Sequence, residues 1–268
     1  MNHNNLKYNL FSLVLLLVIN IAGANSVSVP QHYATISLAM QKVKKGDTIR
    51  VADGLYNEQL YIAPGITLLS QNLFKAIVDG GGRETVVTMG NGATICGFEI
   101  KNGTIGVFTT SANASILKCR IISNHQTGIM CVGTLPQIED NLIIYNNGSG
   151  IQGWDVRSTS ASINHNTIAF NSNHGISVGG NSTIIIENNI ISHNTQFGLK
   201  VSDESVRVTL INNNFFMNAK FSGALPNENY TFAPMYVDAA KCNFLLDKNS
   251  QLIGKGTDNQ DLGARIVY

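Results

Sequence analysis

The sequence predicts an all-β fold, a single-stranded parallel β-helix of about eight coils closed at its N-terminal end by a short helix, and three observations predict it. The stretch from Cys119 to Asn218 repeats one template, with anchors at Cys119, Asn141, Asn166, Asn189 and Asn213 spaced 22, 25, 23 and 24 residues apart. Each copy carries an Asn five residues after the anchor, and the first four carry a Gly-(Ile/Leu) pair at plus nine and ten, as in Asn141 to Asn146 with Gly150-Ile151. The apolar runs within each copy are only two to four residues long and end at Asn or Gly, which is too short for helices. A period near two dozen residues marks a stacked architecture in which neighbouring units share one core.

Short strands separated by turn signals then wind into coils about 4.8 Å apart, so that equivalent positions stack. The recurring Asn becomes a ladder whose side chains hydrogen-bond along the column. Asn also tolerates the left-handed backbone of a tight bend, and the Gly at plus nine is expected to serve the same need at the next corner. An earlier copy opens at Gly97, with Asn102 and Gly106-Val107 in the template positions.

In chain order, Lys7 precedes an apolar run from Leu10 to Ile21 and the small-x-small triplet Ala22-Gly23-Ala24. Residues 1–24 are therefore expected to be a signal peptide cleaved near Ala24, which places the mature protein in the periplasm or outside the cell. The run is too short for a confident membrane span, and no membrane span is expected in the mature chain. Residues 25–268 are expected to form one β-helix domain. Within it, Ile36, Ala39, Met40 and Val43 fall at helical spacing before Gly46, which predicts a cap helix over 35–45. Residues 47–95 alternate strand and turn as opening coils, 96–222 carry the regular repeats, and 226–268 close the stack.

Removal of the leader takes away Lys7 and no acid, leaving equal numbers of basic and acidic residues. A protein that grips nucleic acid by bulk electrostatics is visibly basic, so nucleic acid is excluded as a partner. The four cysteines, Cys96, Cys119, Cys131 and Cys242, are not spaced as a disulfide scaffold or a zinc site. Cys119 occupies a ladder position and reads as a small buried side chain, with a Cys96–Cys119 bridge between adjacent coils as the alternative.

The opening segments Tyr33-Ala-Thr-Ile36, Lys45-Gly-Asp-Thr-Ile49 and Gly54-Leu-Tyr-Asn-Glu58, with Gly65-Ile-Thr-Leu68, resemble the N-terminal part of right-handed parallel β-helix proteins of the pectin-lyase-like superfamily. The later repeats resemble that group's short β-helix repeat, and Ala233 to Asp238, Asn243 to Leu246 and Asp261 to Ala264 its closing segment. The resemblance implies a right-handed helix. It leaves function open, because the superfamily holds lyases, esterases, hydrolases and epimerases, and fold does not choose among them. The signatures of the pectin methylesterases, the polygalacturonases and the alginate epimerases are missing.

Sugar-cleaving members of that superfamily use a groove along one face. After each Gly-Ile pair, alternation sends Ile151, Ile176 and Leu199 inward and places Gln152, Ser177 and Lys200 outward in one column, with Trp154, Gly179 and Ser202 two residues on. Asp155, Gly180 and Asp203 follow, and Arg157 lies beyond. Acid, base and the sole Trp converge here, which suggests binding of an acidic polysaccharide or cell-surface glycan and its cleavage by β-elimination. Lys200 or Arg157 is the candidate base, Trp154 and Gln152 contact sugar, and Asp155 and Asp203 are candidate calcium ligands. Their two-coil separation of roughly 9.6 Å works against a shared ion unless the loops bend together. A solvated salt-bridge cluster is the alternative. Tyr145, Phe170 and His193, all at anchor plus four, form a second stacked column that is either a ring-binding surface or aromatic core. His125, His165 and His174 occupy different offsets and read as loop residues. The competing reading of the whole chain is a non-catalytic scaffold for attachment or protein contacts, and a monomer is expected in either case.

Overall fold

Three strand-forming stretches recur in every regular turn of the chain, and parallel pairing of each with its counterpart one turn later builds a three-faced solenoid. The computed structural model describes residues 24–157, 161–220 and 225–266; apart from Ala24, the expected leader lies outside them. The first face is a nine-stranded parallel sheet from Ser26–Val29 to Arg207–Ile211. Its inward column runs Ile49, Leu68, Ile95, Ile116, Ile138, Ile163, Ile186, one aliphatic residue per coil and all fully buried. Nine strands make about nine coils, one more than expected, because Ser26–Val29 pairs with Thr48–Val51 ahead of the cap helix.

The second face consists of Arg120–Ile122, Leu142–Ile144, Thr167–Ala169, Ile190–Ser192 and Asn214–Phe216, and the third of Thr127–Val132, Ile151–Val156, Ile176–Gly180 and Leu199–Val201. Toward the N-terminus the two faces merge into the long strands Ala76–Met89 and Glu99–Thr109. Alternation sends Ile121, Ile143, Ile168 and Ile191 inward from the second face and Ile129, Ile151, Ile176 and Leu199 inward from the third, where all are buried.

Two columns of Asn hold the corners of the second face. At the first corner the backbone N–H of Cys119 donates to Oδ1 of Asn141 (2.8 Å), that of Asn141 to Asn166 (2.9 Å), that of Asn166 to Asn189 (2.8 Å) and that of Asn189 to Asn213 (3.0 Å). Asn124, Asn146, Asn171, Asn194 and Asn218 repeat the arrangement at the second corner. Within the ladders Nδ2 donates onward to the next Oδ1 and back to a carbonyl of an earlier coil, as Asn171 does to Asn194 and Ile143, both at 3.0 Å. The buried amides are thereby satisfied within the protein.

Two expectations about these corners are corrected. The left-handed residue is not the ladder Asn but its predecessor: Lys118, Asp140, His165, Asn188 and Asn212 at one corner and Ser123, Tyr145, Phe170, His193 and Met217 at the other, with φ between 49° and 58°. The predecessor turns the chain so that the Asn side chain points into the corner. Nor does the Gly at plus nine supply a left-handed bend. A Cβ on Gly106, Gly128, Gly150 or Gly175 would sit 2.6–2.8 Å from the carbonyl oxygen of the equivalent Gly in the next coil, so these positions are glycine because two backbones approach closely.

The cap helix is shorter than expected, Ile36–Met40. Thr35 caps it, and the Glu58 carboxylate accepts from the N–H groups of Ile36 (3.0 Å) and Ser37 (2.8 Å), satisfying first-turn donors. Beyond its end the Asp47 carboxylate accepts from the N–H groups of Lys44 and Asn25, holding the turn that leads back to the first face. All four cysteines are free thiols; Cys119 is buried in its ladder position and no Cys96–Cys119 bridge is present.

The closing segment adds one ladder rung, with the N–H of Asn213 donating to Asn229 (2.9 Å), and then turns back along the outside of the second face. There an antiparallel pair, Tyr236–Asp238 and Asn243–Leu246, packs Phe244 against Leu142, Ile144 and Ala169, while Leu252 and Leu262 cover Ile190. Arg265 fastens the end, pairing with Asp140 (2.8 Å) and Glu139 (2.8 Å). Burial pushes the Asp140 carboxyl up, but the hydrogen bond from Arg265 and the charge of Lys118 outweigh it and leave the group below its ordinary range.

Replacing Asn171 by Ala removes the acceptor of the Asn146 N–H and the donor to the Ile143 carbonyl, leaving both buried. The expected loss is about 2–4 kcal/mol in urea unfolding, and a loss under about 1 kcal/mol would contradict a structural role for the ladder.

Candidate functional site

With the second face covered by the closing segment, the first and third faces keep their outward sides toward solvent, and the large cleft lies on the third face. Its register places Tyr61, Thr88, Phe108, Met130, Gln152, Ser177 and Lys200 over one another, one per coil. The expected Gln152, Ser177, Lys200 column is therefore present, with Ile151, Ile176 and Leu199 pointing inward beneath it.

The C-terminal part of this face holds an open cleft of 960 Å³ lined by Gln152, Trp154, Asp155, Arg157, Asn173, His174, Ser177, Lys200 and Asp203, among others. Trp154 leaves 56% of its surface in solvent, a large exposed aromatic on the cleft wall. The neighbouring columns depart from simple alternation. Asp155 is left-handed (φ 48°), and a bulge there sets Val156 against Gly180, so the residues after Trp154 are displaced from the register expected for them. The extra residue re-aims Asp155 and Arg157 toward the cleft.

Both carboxylates proposed as metal ligands line the cleft, each with its own partner. Asp155 binds the Arg157 guanidinium through both oxygens (2.9 and 3.1 Å), and Asp203 accepts from the N–H of Gly180 at 2.6 Å. The hydrogen bond and charge of Asp155 hold Arg157 above its already high ordinary value, which makes it a fixed cation and not a base. Among the described residues Lys200 forms no ion pair, although with Arg157, Asp155 and Asp203 on the same cleft the formal charges there balance.

One cleft residue escaped the sequence reading. His174, expected as a plain loop residue, lines the cleft, and its Nδ1 accepts from the N–H of Phe197 at 3.2 Å. That bond puts the ring proton on Nε2. Burial lowers the His174 pKa, and the nearby Lys200 lowers it further. The signal available was its place one residue before Gly175, where the next coil carries Phe197.

The second nominated column lies elsewhere. Tyr145 and Phe170 stack at 5.2 Å between centroids, and Phe170 and His193 at 4.6 Å, but the stack sits beneath the closing segment. Phe244 meets Tyr145 and Phe170 edge-on, and the Tyr145 hydroxyl donates to the Ala239 carbonyl at 2.9 Å. As a sugar platform this column is corrected: its rings are neither inside the coils nor on the cleft, because the tail packs over them.

Residues 42–232 match the profile of a family described as periplasmic copper-binding protein (NosD). The chain belongs to this family. None of the curated proteins matches the sequence significantly. Among solved structures, the periplasmic alginate epimerase AlgG is similar to this NosD-family chain with a TM-score of 0.52 and 17% identity, over 77% of this chain and 54% of that one. A mannuronic-acid-specific family 6 polysaccharide lyase from human gut microbiota gives 0.49 and 13%, over 72% and 54%. The NosD-family chain thus spans about half the length of either. The likeness to the epimerase carries the fold alone, a right-handed parallel β-helix. No helix among the described residues is long and apolar enough to cross a membrane.

His165, His174 and His193 all have pKa values lowered from 6.5, burial being the first cause in each. The unfolded chain therefore binds more protons than the folded one just below that value, and stability is lost as pH falls from about 6.5 toward 5. Urea unfolding between pH 7.5 and 5 is expected to show this slope, with proton NMR midpoints below 6.5 for the three rings; a flat profile would contradict the burial described.

Proposed function

We propose that the third face binds an acidic polysaccharide of the cell exterior, gripping it at Trp154 and Lys200. The carrying observation is that one open cleft contains both a solvent-facing Trp and a Lys with no ion-pair partner among the described residues. Such a cleft offers a ring face for stacking and a cation for a uronate carboxylate, while Gln152, Asn173 and the His174 Nε2–H supply polar contacts to hydroxyls. Location outside the cytoplasm, secreted or periplasmic, agrees with a family described as periplasmic and with enzymes of the same fold that act on such polymers.

Copper, which the family description carries, finds no donor set here. Among the described residues no three His, Cys, Asp or Glu come together. The Cys119 and Cys131 thiols are buried in the core, where desolvation pushes their pKa values well up and disfavours the thiolate a metal would need. His165 faces the Gly263 carbonyl and His193 is stacked on Phe170. Calcium at Asp155 and Asp203 would have to compete with Arg157 at the first, and the binding reading does not need it.

Cleavage is the finer step. Because Arg157 is committed to Asp155, β-elimination would rest on Lys200 as base, with Arg157 offering charge to the enolate. Retention on immobilised alginate, polygalacturonate and a neutral glucan separates the readings. Binding to a uronate polymer, weakened at least tenfold by Trp154→Ala or Lys200→Ala and weakened by salt, is the expected result. New ultraviolet absorbance from an unsaturated sugar, abolished in Lys200→Ala, would add lyase activity. No retention on any polymer would overturn the proposal in favour of the scaffold.

A further inference from the structure

The same outward column that ends at Lys200 continues for four coils on the N-terminal side of Gln152, and there its chemistry changes. Tyr61, Phe108 and Met130 occupy the positions that Gln152, Ser177 and Lys200 fill further down. Tyr61 leaves 56% of its surface in solvent, the same fraction as Trp154. It lies two coils from Phe108, and a separate cleft of 410 Å³ opens between the two rings. The far wall of that cleft is polar and ordered: the Ser111 hydroxyl donates to Oδ1 of Asn91 at 2.9 Å, and Nδ2 of Asn113 reaches the same oxygen at 3.1 Å. An aromatic floor beside fixed amide and hydroxyl groups repeats the amphipathic chemistry of the Trp154 cleft without its charges.

We propose that the Tyr61–Phe108 cleft is a second ring-stacking subsite on the third face, and that the ligand is a linear polymer which occupies both clefts at once. The inference rests on the reading of the Trp154 cleft and extends it. The geometry supplies the length. Six coil steps of about 4.8 Å separate Tyr61 from Lys200, so the strip is about 29 Å long, and about 19 Å lies between Tyr61 and Gln152 beside the Trp cleft. A mono- or disaccharide reaches only one cleft, whereas a chain running along the solenoid axis crosses one coil per step and reaches both. The intervening residue Met130 is half-buried and presents an adaptable apolar surface, so nothing charged interrupts the path. Polarity along the strip is also unequal. The end near Lys200 and Arg157 takes the carboxylates, and the end near Tyr61 takes ring faces.

A length series distinguishes this subsite from the main cleft. The probes are alginate oligomers of two to twelve residues and full-length alginate, titrated against the full chain and against Tyr61→Ala, Tyr61→Trp, Phe108→Ala and Trp154→Ala. Two linked subsites raise affinity steeply once an oligomer spans both. The expected result is that Tyr61→Ala and Phe108→Ala lower affinity for the longest oligomers about tenfold, leave the shortest unchanged and abolish the steep rise with length. Tyr61→Trp keeps the rise, because the ring face is retained. Trp154→Ala weakens short and long oligomers alike. Equal binding of all oligomers by wild type and Tyr61→Ala, with Trp154→Ala still impaired, overturns the second subsite while leaving the proposed function standing. Binding of no oligomer by wild type overturns both.

Discussion

The hydrogen bond from a backbone N–H to the Asn Oδ1 of the next coil fixes every other relation in this molecule. A parallel sheet alone tolerates slippage by two residues, since inward and outward sets are preserved. The ladder does not. Each Asn must meet one partner above and one below at both corners of the second face, which forces every repeat to bend at the same place although the repeats differ in length by up to three residues. The surplus residues then go to the loops after the third face, where the chain is free to bulge. Trp154, Asp155 and Arg157 stand in such a place, so the constraint that makes one edge of the solenoid uniform also concentrates variation beside the cleft.

Close approach is the second consequence. Stacked glycines let the backbone of one coil lie against the next between the second and third faces, and a methyl group there would meet the next coil's backbone oxygen together with a ladder Asn and a core Ile side chain. The tail supplies the third. By lying along the second face it partly covers the Tyr145 and Phe170 rings, satisfies Asp140 through Arg265 and leaves the first and third faces open to solvent.

Much of the fold was legible because the template positions repeat in type. Ile151, Ile176 and Leu199 followed from alternation alone, and so did the outward column through Lys200. The backbone state of individual corner residues was not. The left-handed position falls on residues as unlike as Lys118, Phe170 and Met217, which carry no common propensity and adopt it because the ladder holds the next residue. Composition could not show that Phe170 faces outward yet lies covered, since that depends on a segment some seventy residues later. Within the cleft, Lys200 and Trp154 were visible as outward residues near one loop, whereas His174 was passed over because its role comes from Phe197 on the neighbouring coil. The bulge at Asp155 was hidden for the same reason: it is a relation between two coils and has no mark in either.

The central claim is that a polymer lies on the outward side of the third face. Oxidative footprinting with mass spectrometry, in the presence and absence of saturating alginate, reads this directly because reporters stand on opposite sides. Trp154, Met130 and Tyr61 are expected to be protected together, while Met217 and Met235, exposed away from that face, stay as reactive as before. Protection of Met235 or Met217 with Trp154 unchanged would place the ligand elsewhere and contradict the account.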